Sequence, residues 1–104
     1  MTKEALLEAI KNKQDVTNQD LAELNLSGMN LQRINFQGSD LSHADLRDSD
    51  LRDANLSETN LYGADLRGAK LNRTNLHNSN RINCQIKRSG LKGAYITGPT
   101  AYQD

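Results

Sequence analysis

The chain has 104 residues, a length that suits one domain around one core, and only 36% of them are hydrophobic and 4% aromatic. Thirteen Lys and Arg balance thirteen Asp and Glu, which excludes a bulk attraction to nucleic acid or an anionic membrane. The single cysteine, Cys84, excludes an intramolecular disulfide framework, and no apolar run approaches bilayer-spanning length, so a cytoplasmic protein with no membrane partner is expected.

Residues 1–20 read as a helix and a linker. Thr2 is placed to cap a short helix over residues 3–12, Glu4 favours its first turn, and Leu6, Ala9 and Ile10 share one face. That face is expected to cover the start of the next region. Residues 11–20, KNKQDVTNQD, read as a polar linker, with Leu21 either the first centre of a repeat or part of the connection.

From Leu26 a bulky apolar residue falls at every fifth position: Leu26, Leu31, Phe36, Leu41, Leu46, Leu51, Leu56, Leu61, Leu66, Leu71 and Leu76. A helix repeats its faces every 3.6 residues and a strand every 2, so neither accounts for the period. With roughly a fifth of positions bulky and apolar in an average chain, such a run arises by chance about once in ten million. The frame resumes after Arg81 at Ile86, Leu91 and Ile96. These fourteen residues, Arg81 excluded, are the expected core.

Two residues before each centre lies a small side chain: Ser39, Ala44, Ser49, Ala54, Thr59, Ala64, Ala69, Thr74, Ser79, Cys84, Ser89 and Ala94. Large and small side chains therefore alternate inward. Between them stands Asp or Asn in most repeats, a residue that hydrogen-bonds nearby backbone at a corner. The earliest small positions hold Leu24, Met29 and Ile34 instead, as if filling an irregular opening of the shaft.

The units ADLRD, ANLSE, ADLRG and AKLNR resemble the A(D/N)LXX motif of the pentapeptide repeat proteins, over about residues 24 to 98. The resemblance implies an all-β solenoid, the right-handed quadrilateral β-helix, in which four pentapeptides form one square coil and twenty residues climb one layer. The physics agrees, because bulky side chains at both inward positions would overfill the shaft. Residues 21–98 would form about four coils, roughly 19 Å tall at an inter-strand spacing of about 4.8 Å. Each buried leucine would contribute about 1.5–3 kcal/mol, an upper value.

Arg81 stands where leucine is expected. The favoured expectation is a bulge that turns Ile82 inward and swings Arg81 to water; the other is an Arg near the C-terminal edge that meets a carboxylate or a partner. Stacking at twenty residues also aligns Ala22, Ser42, Tyr62, Ile82 and Tyr102 as an outward apolar strip that could make a contact. Beside it run Arg47, Arg67 and Lys87, interleaved with Asp45, Asp48 and Asp65, which reads as a solvated ion-pair ladder.

Gly98–Pro99 signals the end of regular structure, leaving 99–104 as a tail. The last coil, with Tyr95, Ile96 and Tyr102, would either pair with a second copy in a two-fold dimer or lie under its own tail as a lid.

No catalytic, cofactor or metal site is expected. His43 and His77 fall on different outward faces, Cys84 is a small inward position, and the aspartates repeat as structural residues. The chain therefore reads as a non-enzymatic interaction module that binds itself or another protein. The alternative implied by the resemblance is a DNA mimic acting on DNA gyrase or another DNA-binding protein. Residues 40–68 do carry seven acidic residues against three Arg, but residues 81–104 reverse the sign with four basic residues and one Asp, whereas B-DNA is uniformly charged at about one phosphate per 1.7 Å.

Overall fold

The computed structural model describes residues 1–97, the Arg88 side chain excepted. The expectations for Gly98, Pro99, Tyr102 and the tail 99–104 lie outside the described residues.

The chain opens with α1, Lys3–Lys11. Thr2 Oγ1 accepts from the Ala5 amide at 3.1 Å, Glu4 lies in the first turn and Lys11 in the last, so both ends complement the helix dipole. Leu6 and Ala9 are buried in the same cluster as the leucines of the repeat.

After α1 the backbone forms single parallel bridges between residues twenty apart, from Asp20↔Asp40 to Asn75↔Tyr95. Each bridge is made by the residue before the central leucine. Its N–H donates down to the previous layer and its C=O accepts from the central residue of that layer, as in Asp45 N–H to Leu24 O at 3.0 Å and Leu26 N–H to Asp45 O at 2.8 Å. The sides of the coil are so short that no long strand forms, yet every layer is tied to the next.

Between bridges the chain turns a corner. The amide three residues on donates back to the central leucine's carbonyl, as in Ala54 N–H to Leu51 O at 3.0 Å. The second residue after the leucine takes positive φ in every repeat from Lys13 to Gly93 other than Arg88. This is a type II arrangement, which usually calls for glycine or asparagine. Here Glu, Arg, His and Asp occupy it as well, at φ between 56° (His43) and 65° (Glu23). The Asp or Asn before the leucine braces the corner, its Oδ1 accepting the amide two residues on, as in Asn55 Oδ1 with Ser57 N–H at 3.0 Å.

Inside, Leu21, Leu26, Leu31, Phe36, Leu41, Leu46, Leu51, Leu56, Leu61, Leu66, Leu71 and Leu76 are at most 2% exposed, with Ile86 and Leu91 buried at the far end and Ile96 only partly buried. The inward hydroxyls do not lie idle. Ser49, Thr59 and Ser79 donate to the carbonyl of the preceding repeat's central leucine, and Thr74 Oγ1 reaches across a layer to Leu51 O at 2.6 Å.

Four expectations need correction. Arg81 points inward and is 1% exposed, whereas Ile82 is 46% exposed; there is no bulge. A bulge needs one extra residue, and five residues separate Arg81 from Ile86 as in every other repeat, so turning Ile82 inward would throw the layer out of register. The ladder already includes part of the expected linker, since Val16 is buried, its N–H donates to Asn35 O at 2.8 Å, and Leu21 is a repeat centre. Ser89 is exposed in a 3-10 helix, Arg88–Leu91. That turn replaces one pentapeptide corner: among the described residues Lys70 bridges back to Asp50 but not forward to Gly90. Finally, Ala69 is only partly buried beneath this interruption.

Candidate interaction surface

With the central and small positions consumed by the shaft, function is left to the outward positions and the ends. On the face built by Leu41, Leu61 and Arg81, Tyr62 is 38% exposed and stacks beneath Ile82 in the twenty-residue register. Its position is set by neighbours from the layers on either side. The His43 ring meets it edge-on, centroids 5.6 Å apart at 73°, and Asn83 Nδ2 donates to its hydroxyl at 3.0 Å. Gly63 makes room for the His43 ring, because a Cβ there would stand 2.6 Å from Nδ1. Tyr95, 59% exposed, lies on another corner, above Asn75 in the ladder, so the structure does not bring it together with Tyr62 and Ile82.

The neighbouring faces carry charge in pairs. Arg47, Arg52 and Arg67 each fold back on the aspartate two residues earlier, Asp45, Asp50 and Asp65, at 2.6–2.7 Å. Arg47 also lies 3.8 Å from Asp65 of the next layer. Arg73 reaches down one layer to Asp53 at 2.7 Å. The side-chain hydrogen bond from Arg47 lowers the Asp45 pKa to about 2, and the Arg52 guanidinium holds Asp50 well below the usual carboxylate range. These are exposed pairs that order the surface and contribute little stability each.

The remaining reactive side chains are scattered. His77 Nδ1 contacts Thr97 Oγ1 on a different face from His43. Burial pushes the Cys84 thiol up to about 12, with the nearby Arg81 guanidinium opposing that push, so this thiol is a packing group. Among the described residues no three His, Cys, Asp or Glu converge to hold a metal, and no helix is long and apolar enough to cross a membrane.

A feature that sequence reasoning missed lies at the other end. A cleft of about 340 Å³ separates the end of α1 from the first coil, with Ile10, Leu31 and Ile34 among its lining and Lys13, Asp15 and Arg33 contributing charge. Its only signal in the sequence is that the polar 11–15 segment occupies the place where a further repeat would lie.

Comparison with known proteins agrees with this architecture. The family model described as the pentapeptide repeat region matches residues 12–81, and no curated protein matches the chain. A pentapeptide repeat protein of the Arabidopsis thaliana thylakoid lumen is similar in structure, with TM-score 0.74 and 26% identity over 85% of this chain and 61% of that one. The chain thus spans about three fifths of that relative's length. A pentapeptide repeat protein from Nostoc Pcc 7120 is similar over 92% of this chain and 96% of its own, at 25% identity and TM-score 0.51. HetL, a pentapeptide repeat protein involved in heterocyst differentiation regulation in a Nostoc strain, shares the fold at 24% identity and TM-score 0.52, over 79% of this chain and 46% of its own. With its twenty-residue ladder, its leucine shaft and a family match over most of its length, the chain belongs to the pentapeptide repeat family, whose fold is the right-handed quadrilateral β-helix.

Proposed function

We propose that the chain is a non-enzymatic protein-interaction module of the cytoplasm: a rigid column of about four coils, closed at its N-terminal end by α1 and self-associating through its C-terminal coil. The observation that carries the interaction reading is the division of labour in the repeat. Aspartate and asparagine brace corners, serine and threonine satisfy carbonyls inside the shaft, and Cys84 packs, which leaves outward side chains such as Tyr62 and Ile82 without a structural task in the repeat and open to contact.

Self-association is supported by the C-terminal coil itself. The ladder is interrupted there at the Arg88–Leu91 helix, Ile96 is only partly buried, and Tyr95 and Ile82 are the most exposed large apolar side chains of the repeat region. Mimicry of duplex DNA fits less well, because residues 66–97 contain no Asp or Glu while B-DNA is negative along its whole length.

Light scattering over a dilution series tests the proposal. A concentration-dependent dimer that Tyr95→Asp converts to monomer supports it; a monomer at every concentration refutes self-association through this coil.

A further inference from the structure

The first coil has an edge that no described residue pairs. In the higher layers, Gly90 excepted, the residue before the central side chain donates its N–H downward and accepts through its C=O from below, as Asp50 does with Met29 O at 2.9 Å and Leu31 N–H at 2.8 Å. On the Phe36 face this downward edge is occupied, since Val16 N–H binds Asn35 O and Asn18 N–H binds Gln37 O, whereas on the Leu26 and Leu31 faces it is not occupied by any described residue. The Asn30 N–H, the Asn30 carbonyl and the Gln32 carbonyl are the corresponding groups over the cleft, and they have no partner among the described residues. Asn30 and Gln32 line the same space as Ile10, Leu31 and Ile34. An unpaired edge beside an apolar recess is a template for strand addition.

Charge defines what fits. Arg33, Asp53 and Arg73 stack in one column of alternating sign, with Asp53 bonded to Arg73 above it and also drawn by Arg33 below. Continuing the column downward from Arg33 leads into the cleft, where Lys13, twenty residues earlier, is a second positive lining group and Asp15 a single negative one, leaving the lining net positive. The position that completes the lattice therefore calls for a carboxylate, two residues after an apolar side chain directed under Leu31.

We propose that this cleft binds an extended peptide segment of a partner protein, added parallel to residues 30–33, with one apolar side chain in the recess and an acidic residue two positions later against Arg33 and Lys13. Three main-chain hydrogen bonds hold it: one from Asn30 N–H to the peptide, and two from peptide amides to the Asn30 and Gln32 carbonyls. The inference rests on the chain being an interaction module, but it is independent of self-association at the opposite end, and light scattering decides that question separately.

The probe is a hexapeptide with the sequence SDLRDA, taken from residues 49–54, which make these same bonds one layer higher on the Leu31 face, blocked at both termini. Amide and methyl NMR spectra of the full chain are recorded during titration with this peptide. Saturable shifts centred on the Asn30 amide and the Ile10, Leu31 and Ile34 methyls are expected. N-methylation of the peptide's leucine, which deletes the donor to Asn30 O, should weaken binding about tenfold or more, and so should Arg33→Glu. Because the N-methyl peptide leaves the protein untouched, its result stands even if the protein variant fails to fold. Absence of saturable shifts up to millimolar peptide, shifts centred away from the cleft, or equal binding of the N-methylated probe would each overturn the proposal.

Discussion

Truncating Leu56 to alanine should cost about 3–5 kcal/mol, the upper part of the range for leucine-to-alanine changes in cores. Leu56 is fully buried, with Phe36 one layer below and Leu76 one layer above in the same stack. Core sites lose less than this when their surroundings collapse into the void. Collapse is blocked here because the layers are pinned by Phe36 N–H to Asn55 O at 2.9 Å and Leu56 N–H to Asn75 O at 2.7 Å, at a spacing near 4.8 Å that hydrogen bonds do not allow to shrink. Leu91 offers the contrast. It is 7% exposed and ends the 3-10 turn where the ladder is interrupted, so Leu91→Ala should cost only about 1–2 kcal/mol, nearer to the transfer term alone. Urea unfolding measures both, with m held constant between variants. A chain of this size carries about 5–15 kcal/mol in total, so Leu56→Ala should bring the midpoint down by a large fraction and the melting temperature by about 4–8 °C per kcal/mol. Equal costs at the two sites would refute the idea that the stacked shaft, rather than average burial, sets the penalty.

Ile82→Asp should change the stability of the dilute monomer by no more than about 0.5 kcal/mol by urea unfolding, because Ile82 faces water; a loss of several kcal/mol would restore the bulge. Gly28→Ala and Gly68→Ala both force alanine to positive φ, at +70° and +76°, but only at Gly68 would the new Cβ stand 2.1 Å from Asp48 Oδ1. The first should cost about 1 kcal/mol and the second about 1 kcal/mol more, and thermal melts of the pair separate backbone strain from collision. Asp45, Asp50, Asp53 and Asp65 all have lowered pKa values in the fold. Their contribution is therefore present above the ordinary carboxylate range and is lost as pH falls from about 4 towards 2; melting curves over that window should decline, and more shallowly in Asp45→Asn. Cys84, its pKa pushed up to about 12, should resist thiol reagents at pH 8 until urea unfolds the chain.

The five-residue spacing made the ladder legible, because a shaft of fixed width accepts one bulky and one small side chain per side and so writes itself directly into the order of residues. Thr2, Leu6 and Ala9 marked α1 for a similar reason, as capping and facing are local. Only the tertiary structure decided what depends on a neighbouring layer. Arg81 looked like a residue that must leave the shaft, since the sequence weighs the cost of burying it but not the cost of breaking register with the layer below. The 3-10 turn at Arg88–Leu91 was hidden because Ser89 and Leu91 satisfy the repeat pattern, and pattern reports which side chains could point inward, not whether the backbone there is paired. Nor did composition disclose that outward Glu, Arg and Asp residues hold positive φ at the corners, a strain accepted because bridges on both sides of each corner leave the chain no other path. The cleft under Leu31 arises from where α1 comes to rest against the first coil, a packing outcome between two segments whose own sequences are silent about the gap between them.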